Sequence, residues 1–113
     1  MNDYRDELGR MLEGVLAETH ALTFKNVFGA VGAYVDGNIF AVCGRFGTAL
    51  RLSPEALASL FQEQGVESLR YFPKGHIKKE YAVLSKRLLD DGPRFRGLVD
   101  ESITFVTGRR IEP

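Results

Sequence analysis

The sequence predicts an α+β domain: an antiparallel sheet of about five strands, in the order α-βββ-α-ββ-α(α), with the helices packed on the sheet. Three observations carry this. Leu8, Met11, Leu12, Val15 and Leu16 recur at i, i+3, i+4, i+7 and i+8, which is one apolar stripe of a helix. The apolar period then falls to that of a strand around Ala33 and Val35, and Asp36-Gly37 follows as a hairpin signal. Ser53-Pro54-Glu55 and Asp91-Gly92-Pro93 each open a further helical stripe with a capping residue and an early proline.

In order, the first helix is expected over Asp3 to Glu18, with Asp3, Asp6 and Glu7 in the first turns, where the positive end of the helix dipole favours carboxylates. Gly32 to Val35 and Asn38 to Cys43 flank the Asp36-Gly37 turn, because Gly, and tolerably Asp, can take φ > 0 there. A second turn, Gly44-Arg45-Phe46-Gly47, leads to a strand over Thr48 to Leu52, completing a three-stranded meander. The next helix buries Ala56, Leu57, Leu60 and Phe61, and Gly65 is expected to end it in the left-handed conformation. Ser68 to Phe72 reads as a short strand and Pro73-Lys74-Gly75-His76 as a turn. Ile77 to Leu84 reads as another strand, with Ile77, Lys79, Tyr81 and Val83 on one face. Ser85 to Asp90 forms a short helical turn, and the last helix places Phe95, Leu98, Val99, Ile103 and Val106 on one stripe.

The 113 residues make one domain, taken as 1–113, long enough to bury a core without disulfides or metal. The formal net charge is zero, so no global field draws the chain to nucleic acid or to membrane. Cys43 is the only cysteine, which excludes an internal disulfide and a multi-cysteine metal site. The charged start, Met1 to Glu7, is unlike a signal peptide, and no apolar run approaches a membrane span. A cytoplasmic, reducing setting is the expectation.

The chemistry-bearing residues are few. Cys43 lies near a strand end with no histidine close in sequence, and reads as a small buried apolar residue rather than a nucleophile. His20 follows a helix end, where it meets carbonyls, and two histidines are too few for a metal centre. Asp90-Asp91 reads as helix capping rather than acid–base machinery. Gly29, Gly32 and Gly37 form neither a dinucleotide fingerprint nor a P-loop. Phe28, Tyr34, Phe40 and Phe46 read as core or hairpin packing. No catalytic residue, metal site or cofactor is expected.

One lopsided patch of charge stands out. From Arg70 to Arg96 eight basic residues face three acids. Lys74, His76, Lys78, Lys79, Arg94 and Arg96 are the candidate anion or nucleic-acid patch, with the Pro73-Lys74-Gly75-His76 turn able to offer backbone N–H groups to a phosphate. The competing reading is a solvated face, and strand alternation sends Lys78 and Lys79 to opposite sides.

The order of Phe28-Gly29, Gly32, Tyr34, Asp36-Gly37 and Phe40-Ala41, then Leu50-Arg51-Leu52, Gly65, Tyr71-Phe72, Gly75, Tyr81 and Leu84, resembles the N-terminal domain of the TfoX/Sxy family over about Thr23 to Val106. The resemblance implies a secretion-chaperone-like α+β fold. It also implies a bacterial regulatory role, since full-length members act on DNA-uptake genes in concert with the cyclic-AMP receptor protein. Those members carry a second, helical domain, so a chain ending at Pro113 is expected to be a stand-alone member. Ser85 stands where many members have proline. The family supplies no catalytic residues to carry over. The resulting expectation is a non-enzymatic regulatory or protein-interaction module with protein partners, self-association as a homodimer among them. Nucleic-acid or phosphate-ligand binding through segment 70–96 is the alternative.

Overall fold

The computed structural model describes residues 3–13 and 22–108. Helix α1 (Tyr4–Leu12) starts from Asp3, whose carboxylate accepts the Asp6 N–H at 3.0 Å. That bond holds the Asp3 carboxyl below its usual range. The helix is shorter than expected: Glu13 is already extended and its N–H turns back to the Arg10 carbonyl. Leu8 and Leu12 are buried, whereas Val15, Leu16 and His20 lie outside the described residues.

Four strands follow, not three: β1 (Leu22–Val27), β2 (Ala30–Val35), β3 (Asn38–Gly44) and β4 (Gly47–Arg51). The additional strand, β1, pairs with β2 through a two-residue turn at Phe28-Gly29. Phe28 (φ 49°) and Gly29 (φ 82°) both have positive φ, as do Asp36 (φ 51°) and Gly37 (φ 85°) in the next turn. Both are therefore turns of the type I′ kind, whose twist matches that of the flanking strands.

Ser53 then caps α2 (Pro54–Leu60), its hydroxyl accepting the Ala56 N–H at 3.2 Å. The chain continues through β5 (Glu67–Leu69), β6 (Lys78–Val83), α3 (Lys86–Asp90) and α4 (Gly92–Thr107). Two expectations change here. The helix ends at Leu60 with Phe61 as a right-handed cap, and Gly65 (φ 88°) serves a later turn, where an added Cβ would lie 3.0 Å from Ser85 Cβ. The strand expected over 68–72 stops at Leu69, so Tyr71 and Phe72 belong to the connection between β5 and β6. Ser85 caps α3 and Asp91 caps α4, each accepting an N–H three residues on. Asp90 instead pairs with Lys86.

The six strands form one antiparallel sheet in the order β1-β2-β3-β4-β6-β5. Its register separates two faces. Val31, Ala33, Ala41, Cys43, Leu50 and Ala82 share one face and enter the main core, to which all four helices contribute. Phe95, Leu98, Val99, Ile103 and Val106 of α4 are all buried there, as their spacing predicts, and Phe40 is fully buried with them. The opposite face carries no helix among the described residues. Its small cluster of Ala49, Leu69 and Val83 is covered by Phe46, Tyr71 and Tyr81. The architecture is thus α+β, with the helices on one side of the sheet.

Candidate functional site

The helix-free face is where the sequence leaves large apolar side chains in water. The 70–77 connection folds back toward it and ties itself in place. The Gly75 N–H donates to the Phe72 carbonyl at 2.8 Å, and Arg70 Nη1 donates to the Gly75 carbonyl at 3.2 Å. This presents Tyr71 and Phe72 to the first hairpin turn. Phe28 stacks edge-on against Tyr71 (centroids 5.2 Å apart, planes at 62°) and against Phe72 (6.3 Å, 67°). Tyr71 meets Phe46 in turn, at 5.7 Å and 89°.

This ring cluster is half wet. Phe28 is 65% exposed and Phe72 57% exposed. Phe28 also occupies the left-handed region, which a bulky residue adopts only against a steric penalty, and Asn, Asp or Gly would be easier there. The fold alone gains little from a strained, solvated phenylalanine at that point.

Two concavities border the rings. A cleft of about 300 Å³ runs between Val27, Phe28, Ile39, Tyr71 and Tyr81, with Arg51, Lys78 and Glu80 at its edge. A hollow of about 170 Å³ lies among Phe28, Tyr71, Phe72, Gly75, His76 and Lys78. Arg51 Nε pairs with Glu80 at 2.7 Å. Burial pushes the Tyr71 phenol up and the Tyr81 phenol up to about 12, so both stay protonated. Two ammonium groups sit over rings of this face: Lys25 Nζ lies 5.1 Å from the Tyr34 centroid and Lys78 Nζ 5.9 Å from the Tyr71 centroid.

The candidate basic residues fall in different places. His76 and Lys78 line the same hollow, and Lys74 lies in the turn beside it. Lys79 follows Lys78 at the start of β6 and is exposed. Arg94 belongs to a separate groove between α2 and α4, where its guanidinium holds both carboxylate oxygens of Glu63. Arg96 is on the same helix as Arg94, with its Nη1 near Gly92. Cys43 is 1% exposed, its thiol pushed up by burial, and faces Thr48 Oγ1 at 3.7 Å. Among the described residues no group of three or more His, Cys, Asp or Glu is placed to hold a metal ion.

The aromatic cluster itself is not foreseen from the sequence, where Phe28 reads as packing and Tyr71-Phe72 as strand. Its only prior trace is Phe28-Gly29 itself, a glycine following an aromatic ahead of a strand.

One family model matches the chain: the TfoX N-terminal domain, over residues 15–106. The chain belongs to the TfoX N-terminal domain family. That span takes in the whole sheet and most of α4, and with them every residue of the aromatic cluster. The family is associated with competence regulation. No curated protein matches the chain, and no solved structure does. Among the described residues, no helix of this TfoX N-terminal domain is long and apolar enough to cross a membrane.

Proposed function

We propose that this TfoX N-terminal domain is a non-enzymatic protein-interaction module, serving transcriptional regulation of competence-type genes, and that its docking surface is the helix-free face around Phe28, Tyr71 and Phe72. The single observation that carries the reading is Phe28: a ring held 65% exposed by a backbone in the left-handed region. Aromatic anchors in partly enclosed, rigid surroundings are the residues that carry binding energy at protein interfaces. A contiguous exposed cluster of this kind, rimmed by lysine and histidine, is the pattern of an interaction surface. The buried, unactivated Cys43 fits a non-enzymatic role.

A second reading is nucleic-acid binding. Residues 70–79 hold Arg70, Lys74, Lys78 and Lys79 without a single carboxylate, next to exposed rings.

Both readings meet one experiment. A benzophenone amino acid replaces Phe72 in the cell, and, as a control, Glu101 on the exposed side of α4. Docking predicts discrete protease-sensitive adducts from position 72 and none from position 101. Nuclease-sensitive adducts would transfer the conclusion to nucleic acid. No adduct from position 72 would refute both.

A further inference from the structure

We infer that the hollow between Phe28, Tyr71 and Phe72 receives one aromatic or aliphatic side chain of an acidic protein segment, whose carboxylates lie against Lys74 and Lys78. This inference rests on the docking reading above and adds the chemistry of the partner.

The size of the hollow sets the anchor. Its volume, about 170 Å³, suits one ring or one branched aliphatic group, since engineered apolar cavities of ~150 Å³ take up benzene. The shape sets the number of anchors. The rings of Tyr71 and Phe72 stand at 62° and 67° to Phe28, so they wall a recess rather than pave a platform. Successive bases of a single strand need open ring faces, and the Lys78 ammonium already lies over Tyr71. These features favour a protein segment over a nucleic acid.

Charge sets what flanks the anchor. Segment 70–79 carries four Lys and Arg side chains and no carboxylate. Arg70 is committed to the Gly75 carbonyl. Among the described residues no ion pair neutralises Lys74, Lys78 or Lys79, whereas the nearby Glu80 is taken by Arg51. The chain as a whole is neutral, so this surplus is local to segment 70–79, of which Lys78 lines the hollow and Lys74 lies in the turn beside it. A segment with carboxylates on both sides of an apolar residue complements that rim. Its charges speed encounter and select against basic partners, and its anchor supplies the apolar contact.

The test is a titration of the isotope-labelled protein, followed by backbone amide NMR. The probes are a short peptide with one Phe flanked by Glu and Asp, its twin with Ser for Phe, its twin with Lys for the acids, and a thymidine oligonucleotide of about twelve bases. The expected result is that the acidic Phe peptide shifts the amides of Phe28 and of residues 71–78, and that both twins bind more weakly. Replacing the exposed Lys74 and Lys78 together, K74E and K78E, should weaken the acidic peptide by about fivefold or more without unfolding the domain. Equal binding of the Lys twin at the same amides would overturn the acidic partner while leaving docking intact. Equal binding of the Ser twin would overturn the anchor. No shift with any peptide would overturn the inference and leave the docking reading to the crosslinking from position 72, whereas shifts at these amides from the oligonucleotide alone would overturn both.

Discussion

The Phe28 ring sits edge-on to the Tyr71 ring with centroids 5.2 Å apart, joining the first hairpin turn to the connection between β5 and β6. The two residues are distant in sequence and meet only because β4 pairs with β6, which returns the 70–77 segment to the helix-free face. One partner of this contact is strained, since Phe28 has φ 49°. Two effects of similar size therefore oppose each other at this position. Left-handed strain in a bulky residue is worth ~1–3 kcal/mol. The edge-to-face contacts with Tyr71 and Phe72 return ~0.5–1.5 kcal/mol each. Phe28→Asn, which creates the favoured Asn-Gly pair of a type I′ turn, should leave stability within about 1 kcal/mol of the native protein in urea unfolding. A loss of ~3 kcal/mol or more would mean that the ring is there for the fold.

Ser102 offers a contrasting, purely structural bond. Its hydroxyl, buried on α4, lies 2.6 Å from the Arg51 carbonyl and 3.0 Å from the Phe40 carbonyl. Phe40 is the residue skipped where β2 and β3 slip register, and its carbonyl lies within reach of this helix hydroxyl. One hydroxyl proton satisfies one of these carbonyls at a time. Ser102→Ala should lower stability by ~1–3 kcal/mol, the cost of leaving a buried carbonyl unpaired, read as a shift in the urea midpoint at constant slope.

Gly44 is needed for close approach on the helix-free face. A Cβ there would lie 2.8 Å from Ala30 Cβ and 2.9 Å from the Phe46 ring, and the alanine, fixed to its strand, has little room to yield. Gly44→Ala should therefore destabilise by ~1–3 kcal/mol and disturb Phe46, which props Tyr71. Thermal unfolding and the near-ultraviolet circular dichroism of the tyrosines would report both effects.

Alkaline pH should destabilise the domain through Tyr81. Burial raises its phenol from 10.0 to about 12 in the folded state. The unfolded chain loses that proton first, so the stabilisation is complete below pH ~10 and is lost as pH rises toward ~12. A separation of this size corresponds to ~2–3 kcal/mol. Tyr71 shifts in the same direction and adds to the slope. Tyr81→Phe should flatten the fall in stability over this window, and a slope unchanged by the substitution would remove Tyr81 from the account.

Most of the fold is legible in the sequence because its punctuation is chemical. Ser53-Pro54, Ser85 and Asp91-Gly92-Pro93 announce helix starts that the structure places at those caps, and Asp36-Gly37 announces its hairpin. The α4 stripe is legible because every third or fourth residue is apolar and buried. What is hidden is β1 and the site, and they are hidden for the same reason. The turn joining β1 to β2 has Phe28 where Asn or Asp would signal a hairpin, so neither the strand before it nor the exposed ring shows in the pattern. Tyr71 and Phe72 mislead similarly, since two aromatics after Ser68 and Leu69 mimic a longer strand. The basic residues are visible one by one, but their grouping is not. His76 and Lys78 share a hollow, while Arg94 is drawn to Glu63 across the α2–α4 groove, a separation that only the folding of 70–77 decides.

The most direct test of the docking surface sets the stability of Phe28→Asn against its binding in a single variant. Urea unfolding would be measured alongside crosslinking yield from a benzophenone at position 72. Native-like stability with the protein adducts lost is the expected result. Native-like stability with undiminished adducts would contradict it, because the strained, exposed ring would then serve neither the fold nor the partner.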